Sequence, residues 1–179
     1  MQRLSAEELL TQYATGRRDF SNLDVNRAYL FEASLPEIDF CGANLTEIHL
    51  PYANLRQANL AKAQLKKAEL GDVQLYQANL TAAQLQECNL SRANLRFANL
   101  QGADLTGANL QGADLYQADL SNTNLSNTDL SRANLEQANL KGAQLQGANL
   151  YRAMGVDLAD AWTDQTTTYP DGYHQREGG

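Results

Sequence analysis

The sequence predicts an all-β solenoid that is wound from repeats of five residues. A leucine, phenylalanine or valine stands at every fifth position from Phe20 to Leu150, which gives 27 consecutive pentads. Apolar residues five apart would advance by about 140° on an α-helix, so they would not share one face. In each pentad a second inward position lies two residues before the central one, as Ala103 lies before Leu105. This alternation is typical of a short extended segment with both ends facing inward.

The remaining two positions of each pentad predict a turn. They are rich in Gly, Ser, Asn, Gln and charged residues, which suit the corners of a chain. A short extended side followed by a turn, repeated many times, winds the chain into coils that hydrogen-bond to the coils above and below. The sequence therefore predicts one repeat domain, and it leaves the binding partner open.

The repeat unit is clearest in the stretch Ala93-Asn94-Leu95-Arg96-Phe97-Ala98-Asn99-Leu100. This stretch resembles the signature of the pentapeptide repeat family, in which Ala is followed by Asn or Asp and then by a central Leu or Phe. The resemblance covers about three quarters of the chain. It implies a right-handed quadrilateral parallel β-helix with four pentads, or 20 residues, in each coil. The 27 pentads would then form about seven four-pentad coils, in which residues n and n+20 stack in columns.

Several inward positions depart from the small residue that the repeat favours. They are Arg18, Leu23, Ile38, Ile48, Val73, Cys88, Thr123 and Thr128. We expect Arg18 to mark the place where the first regular coil of the solenoid has not yet closed. Pro36 and Pro51 fall directly after central leucines, at corners where a missing N–H is tolerable. We therefore expect one or two wide or irregular coils at the start.

The N-terminal segment predicts a helical cap for the open end of the solenoid. Ser5 and Glu8 form a capping box, Leu4 and Leu9 stand at hydrophobic-staple positions, and Gly16 ends the segment. This pattern predicts a helix over about residues 6–15, with Leu9, Leu10 and Tyr13 across the first rung. We expect one folded unit made of an N-terminal helical cap (1–17), the pentapeptide-repeat β-helix (18–152) and a C-terminal cap and tail (153–179).

The C-terminal segment supplies aromatic residues that suit a cover for the last coil. Trp162, Tyr169 and Tyr173 follow the last pentad, before a polar tail over residues 175–179. We expect Trp162 to be a lid residue. Members of the family that protect gyrase dimerise through their C-terminal ends, so the same aromatic residues could instead form a dimer contact, an alternative that the sequence leaves open. A monomer is expected because both ends carry covers.

Nothing in the sequence predicts an enzyme, a cofactor or a metal site. The two histidines, His49 and His174, lie far apart, and no glycine-rich phosphate loop is present. Two separated cysteines, Cys41 on an outer corner and Cys88 in an inward column, make neither a disulfide nor a metal site. Several aspartates occupy the outward slot that the repeat gives to Asn or Asp, so we expect them to be structural. They are Asp104, Asp114, Asp119 and Asp129.

The charge distribution bears on one function that the resemblance offers. Some pentapeptide repeat proteins resemble duplex DNA in shape and charge, bind DNA gyrase and confer fluoroquinolone resistance, which requires a dense negative field. The net charge is −7, but residues 1–40 and 151–179 each carry a net −3 and residues 41–150 only −1. We keep this DNA-mimicking inhibitor of gyrase as the alternative function.

The preferred hypothesis is a non-enzymatic protein–protein interaction scaffold of unknown partner. One pair of outer columns brings aromatic and arginine residues to one wall, and such residues anchor protein interfaces. The candidate residues are Arg56, Tyr76, Arg96, Phe97 and Tyr116. The acidic chain has no basic stripe, no apolar run of membrane-spanning length and no charged-then-apolar leader. We expect a cytoplasmic protein, of a kind numerous in cyanobacteria, that binds neither nucleic acid directly nor membrane.

Overall fold

Parallel bridges join residues that are 20 positions apart along most of the chain. The computed structural model describes residues 1–174, and this spacing holds without a break from the Asp19–Asp39 bridge to the Asn134–Met154 bridge. Within these residues the extended segments are isolated bridges and do not lengthen into strands. The chain is therefore a β-solenoid that returns to the same side every four pentads. The predicted tail over residues 175–179 lies outside the described residues.

Backbone hydrogen bonds tie every pentad to the coil on each side of it. The Leu60 N–H donates to the Asn79 carbonyl of the next coil at 2.7 Å, and the Asn79 N–H donates back to the Ala58 carbonyl at 2.9 Å. At the corner, the Lys62 N–H donates to the Thr81 carbonyl at 2.9 Å. This pattern repeats along the solenoid and satisfies backbone groups that would otherwise be buried without partners.

Each corner is a tight turn in which the second corner residue has a left-handed conformation. The Ala63 N–H donates to the Leu60 carbonyl at 3.1 Å, and Lys62 has a φ of +58°, as the third residue of a type II turn requires. This position holds 21 non-glycine residues with positive φ. The outward Asn or Asp supports the next corner, since the Thr46 N–H donates to Asn44 Oδ1 at 3.2 Å. This bond explains the Asn or Asp of the repeat.

The first coils have the same bridge spacing and turn geometry as the later ones, so the prediction of irregular early coils is wrong. The φ values of Asn22 and Glu37 are +53° and +59°, within the range of the whole solenoid. Pro36 and Pro51 occupy the first corner position, and a type II turn favours Pro there. The missing N–H is harmless because the hydrogen bond between coils comes from the following residue, as Tyr52 N–H donates to the Gly71 carbonyl at 3.0 Å.

The core consists of stacked columns of leucine with small residues between them. One central column is Phe20, Phe40, Leu60, Leu80, Leu100, Leu120 and Leu140, and all its members are buried. Each buried leucine contributes about 1.5–3 kcal/mol before the cost of ordering the chain is subtracted. Thr123 and Thr128 are also buried, and their hydroxyls donate to the Leu100 and Leu105 carbonyls at 2.9 Å. Among the residues that replace a small inward residue of the repeat, only Arg18 is exposed. Its guanidinium lies 3.9 Å from the centre of the Tyr13 ring.

The helix α1 (Ala6–Ala14) covers the first coil. Its capping box forms as predicted: the Ser5 N–H donates to Glu8 Oε2 at 2.7 Å, and the Glu8 N–H donates to Ser5 Oγ at 3.2 Å. Leu9 is fully buried and the Tyr13 hydroxyl donates to the Pro36 carbonyl at 2.7 Å. The prediction for Leu10 is wrong, since this side chain is 40% exposed on the outer face of a helix only nine residues long.

The last coil departs from the regular spacing and closes the C-terminal end. After the Asn134–Met154 bridge, Gln144 pairs with Trp162 and Asn149 with Thr168, so the spacing falls from 20 to 18 and then 19. Trp162 takes an outward bridge position and is 65% exposed, so the prediction that it is a lid is wrong. The cover is built from smaller side chains that pack on the core, Val156, Leu158 and Ala161.

No helix within residues 1–174 is long and apolar enough to span a bilayer.

Candidate interaction surface

The five candidate residues lie together on one face of the solenoid, which we call the aromatic–arginine wall (Arg56, Tyr76, Arg96, Phe97 and Tyr116). Phe97 packs edge-on between two tyrosines, with ring centroids 5.4 Å from Tyr76 and 5.7 Å from Tyr116. The Arg56 guanidinium lies 5.8 Å from the Tyr76 ring, and the Arg96 guanidinium 4.8 Å from the Tyr116 ring. The wall is therefore a continuous stack of rings and cations across successive coils.

The turn geometry sets the arrangement of the wall. Tyr76, Arg96 and Tyr116 occupy the first corner position of successive coils, whereas Phe97 takes the left-handed second position with a φ of +58°. This offset places the Phe97 ring between the two tyrosines instead of above them. Arg96 is also held by Asp114, with Nη1 3.4 Å from Oδ2. Phe97 remains 37% exposed, while Tyr76 and Tyr116 are half-buried.

Uncharged glutamines border the wall. The Gln57 amide donates to Gln77 at 3.1 Å, and three coils beyond Gln57 the Gln117 amide donates to Gln137 in the same way. These amide rows occupy the same second corner position as Phe97. The charge of the wall itself therefore comes from Arg56 and Arg96, and Asp114 beside Arg96 offsets one of the two.

A second group of exposed rings was missed by the sequence reasoning, and we call it the aromatic cluster (Tyr29, Phe31, His49 and Tyr52). Ring centroids are 6.5 Å apart for Tyr29 and Phe31, 5.7 Å for Tyr29 and His49, and 5.7 Å for Phe31 and Tyr52. The sequence does contain a signal for it. Tyr29 and His49 are one coil apart, and Phe31 and Tyr52 stand at adjacent corner positions of successive coils.

The outward aspartates support turns and do not form a free acidic site. The Tyr116 N–H donates to Asp114 Oδ1 at 3.1 Å, and Asp119 and Asp129 accept equivalent bonds at 2.9 Å. Burial acts to raise the pKa of the Asp104 carboxyl, but the hydrogen bonds from Thr106 and Gln86 together act more strongly in the opposite direction. The net effect is that the pKa of Asp104 is lowered. Within residues 1–174 no three His, Cys, Asp or Glu side chains come together as a metal site.

The two cysteines remain separate thiols, half-buried Cys41 and buried Cys88. Burial raises the pKa of the Cys88 thiol, which disfavours the reactive thiolate. Of the histidines, His49 belongs to the aromatic cluster and His174 lies 3.1 Å from the Thr167 carbonyl. The structure therefore brings aromatic and arginine side chains together, and it places these potential nucleophiles and bases apart.

Comparison with known proteins agrees with this repeat geometry. The family model described as pentapeptide repeats matches 8 copies over residues 42–75, 74–112 and 113–152. The chain belongs to the pentapeptide repeat family. No curated protein matches it.

Several solved structures are similar to this pentapeptide repeat protein. A trypsin-treated form of QnrB1, a plasmid-mediated fluoroquinolone resistance protein, is 17% identical with a TM-score of 0.55, covering 83% of this chain and 86% of QnrB1. HetL, involved in heterocyst differentiation regulation in the cyanobacterium Nostoc sp. strain PCC 7120, is 29% identical over 96% of this chain and 100% of HetL, with a TM-score of 0.30. A thylakoid lumen protein of Arabidopsis thaliana is 24% identical over 73% of this chain and 70% of its own, with a TM-score of 0.35. The likeness to QnrB1 shows the fold alone.

Proposed function

We propose that this protein is a non-enzymatic protein–protein interaction scaffold that binds a still unidentified protein through the aromatic–arginine wall. In this proposal a right-handed quadrilateral parallel β-helix of about seven four-pentad coils serves as a rigid platform. The observation that carries the proposal is the stack of Tyr76, Phe97 and Tyr116 under Arg56 and Arg96. The protein acts as a cytoplasmic monomer and binds neither nucleic acid directly nor membrane.

The wall suits binding because its side chains are ordered before a partner arrives. Aromatic and arginine side chains carry much of the binding energy in protein interfaces. Immobilising a free side chain on binding costs about 0.5–1.5 kcal/mol. The rings of the wall already pack edge to face, and Arg96 is already held by Asp114, so much of this cost falls on folding instead of on binding.

A crosslinked pull-down from native lysate tests the wall. The test variant carries Tyr76→Ser, Phe97→Ser and Tyr116→Ser, and circular dichroism checks its fold. A matched control carries Tyr29→Ser and Tyr52→Ser, which also removes exposed rings but leaves the wall intact. We expect a protein that is captured by the wild type and by the control and lost with the test variant. Equal capture by the folded test variant, or capture of no protein by the wild type, would overturn the wall as the binding site.

DNA mimicry is the alternative, and it has less support. QnrB1 shares the fold and is a fluoroquinolone resistance protein, but a mimic of DNA needs a dense negative surface. Residues 41–150, which form most of the solenoid body, carry a net charge of only −1. We expect no inhibition of gyrase supercoiling by the purified protein. Inhibition at sub-micromolar concentration would replace the scaffold proposal with the mimic.

A further inference from the structure

The aromatic cluster borders a groove of about 460 Å³ on a different face from the wall. Tyr29 and Tyr52 are 67% and 53% exposed and stand at one end of the groove. Its floor is made by the first corner residues of three successive coils, Pro51, Gly71 and Ser91. Three coils extend over about 10 Å at the usual spacing between strands, which is the length of about three residues of extended peptide.

The rings of this cluster lack the cation that the other rings of the repeats have. Elsewhere on the repeats each exposed or half-buried ring lies under an arginine of the same chain, namely Tyr76 under Arg56, Phe97 and Tyr116 under Arg96, and Tyr151 under Arg152. Within residues 1–174 no arginine or lysine lies over a ring of the aromatic cluster. Arg92 lines the groove and lies beside the Tyr52 hydroxyl, not over the ring face, and both oxygens of Asp72 hold its guanidinium, at 2.8 and 2.6 Å. The cluster therefore presents ring faces with an open position for a cation.

The charge of the groove favours a cation as well. Asp72 and Arg92 neutralise one another, which leaves Glu69 as the surplus charge among the lining residues. Glu69 is exposed, and one of its oxygens accepts a hydrogen bond from the Asn89 amide at 3.0 Å, so its other oxygen can accept from a ligand. On the far side of Tyr29 lies a separate cleft beside the N-terminal helix, where Arg3 and Glu8 carry opposite charges and Arg27 is paired with Glu47 at 2.9 Å.

We propose that the groove binds an arginine side chain of an extended basic segment in a partner protein. The guanidinium lies over the rings of Tyr52 and Tyr29 and donates to Glu69, while the peptide follows the floor along the solenoid axis. Arginine is favoured over lysine because a planar guanidinium stacks on aromatic rings. Arginine supplies the cation in all six cation–ring contacts among residues 1–174. This site does not rest on the aromatic–arginine wall, so either can fail alone.

Gly71 offers a way to block the groove without removing any ring. Its φ is not in the left-handed region, and a Cβ there would meet only the side chains of Asn89 and Ser91, at 3.6 and 3.7 Å. Both distances are ordinary contacts. Gln111 occupies the equivalent corner position two coils further on. The Gly71→Gln substitution therefore copies a residue that this turn already accepts, and its side chain fills the floor of the groove.

The test is a titration of the protein, labelled with ¹⁵N, with acetyl-Ala-Arg-Ala-Arg-Ala-amide, followed by amide chemical shifts. The same peptide with citrulline in place of arginine is the matched neutral ligand, and a lysine peptide tests the preference for a planar cation. We expect saturable shifts centred on Tyr52, Glu69 and Gly71. We expect affinity to fall at least about tenfold with citrulline, with Gly71→Gln or with Tyr52→Ser, and to fall less with lysine. The Tyr76→Ser, Phe97→Ser, Tyr116→Ser variant should bind the arginine peptide as the wild type does.

Any one of the following results would overturn the proposal. The first is no saturable shift with the arginine peptide up to millimolar concentration. The second is equal affinity for the arginine and citrulline peptides. The third is undiminished binding by folded Gly71→Gln protein, or shifts centred away from the groove. Loss of the wall partner with the Tyr76→Ser, Phe97→Ser, Tyr116→Ser variant leaves this site untouched, because that variant keeps Tyr29, Tyr52 and Glu69.

Discussion

Replacing Gly155 by alanine should destabilise the C-terminal cap where it joins the regular coils. Gly155 follows Met154, the last residue that pairs with a position 20 earlier, and its φ is +66°. A Cβ on Gly155 would lie 2.5 Å from the Glu136 Cα and 2.7 Å from the Glu136 nitrogen. These are backbone atoms, which cannot rotate away as a side chain can. The chain would therefore have to shift where it leaves the regular coils.

The size of the effect follows from two separate costs. A non-glycine residue in the left-handed region costs about 1–2 kcal/mol. Inserting a methyl group into filled space costs about a further 1–3 kcal/mol. Gly102 isolates the first cost, since its φ is also +66° but an added Cβ meets no atom within 4 Å. We expect Gly102→Ala to destabilise by about 1–2 kcal/mol and Gly155→Ala by about 2–5 kcal/mol.

The assay is denaturant unfolding followed with two probes. Trp162 is the single tryptophan and lies in the C-terminal cap, so its fluorescence reports the cap, whereas circular dichroism reports the whole solenoid. Repeat proteins can unfold one part at a time because each coil contacts only its neighbours. Gly155→Ala should therefore move the fluorescence transition to lower denaturant more than the dichroism transition. Gly102→Ala should move the two transitions together.

Equal stability of the two alanine variants would contradict this prediction, because the contact with Glu136 would then cost nothing. An equal shift of both transitions in Gly155→Ala would contradict it as well, since the strain would then not be confined to the cap.

Three further predictions concern the repeats themselves. Ala82 has a φ of +54° at a solvent-exposed turn, so Ala82→Gly should stabilise by about 1 kcal/mol, measured by denaturant unfolding. Thr128→Val removes a hydroxyl that donates to the buried Leu105 carbonyl and should cost about 0.5–1.5 kcal/mol in the same assay. Cys88 should resist iodoacetamide in native protein while half-buried Cys41 reacts, because burial raises the pKa of the Cys88 thiol; peptide mass mapping reads this directly.

Each of these predictions has a matched control. Ala61→Gly changes a first corner residue without positive φ, so it should not stabilise, and equal gains at Ala61 and Ala82 would contradict the turn argument. Thr128→Ser keeps the hydroxyl and should restore the bond at the cost of a methyl group. A loss with Ser equal to or larger than the loss with Val would show that the methyl group matters more than the hydrogen bond. Alkylation of Cys88 at the rate of Cys41 would mean that the core opens locally.

The family and the general fold follow from the sequence because the repeat is local. Every pentad contains the same inward pair, the same outward Asn or Asp and the same turn, so one correct interpretation applies along the chain. The capping box was predictable for the same reason, since Ser5 and Glu8 are only three residues apart and bond to each other. The proline corners were misjudged because the conformation of the turn was not recognised. The positive φ of the residue after each proline identifies a type II turn, and such a turn favours proline at the position of Pro36 and Pro51.

Contacts between outward side chains depend on how successive coils are placed. The columns of residues 20 apart show only some of these contacts. The wall was predicted because its members stand in neighbouring columns, but the edge-to-face packing of Phe97 between Tyr76 and Tyr116 needed the offset between corner positions. The aromatic cluster was missed because its rings are spread over three columns, with Tyr29 and His49 in one and Phe31 and Tyr52 each in another. Contacts between different columns come from the tertiary structure.

The sequence by itself determined the period, the inward columns and the capping helix, because these depend on which residue types can occupy a five-residue unit. Only the tertiary structure decided how the regular coils end and which outward side chains meet. The spacing falls to 18 and 19 after Met154, so Trp162 points outward although its apolar character suggested a lid. Leu10 is exposed because the short helix α1 buries one face alone. In both places the position of a side chain depends on packing against distant residues, which a repeat pattern does not describe.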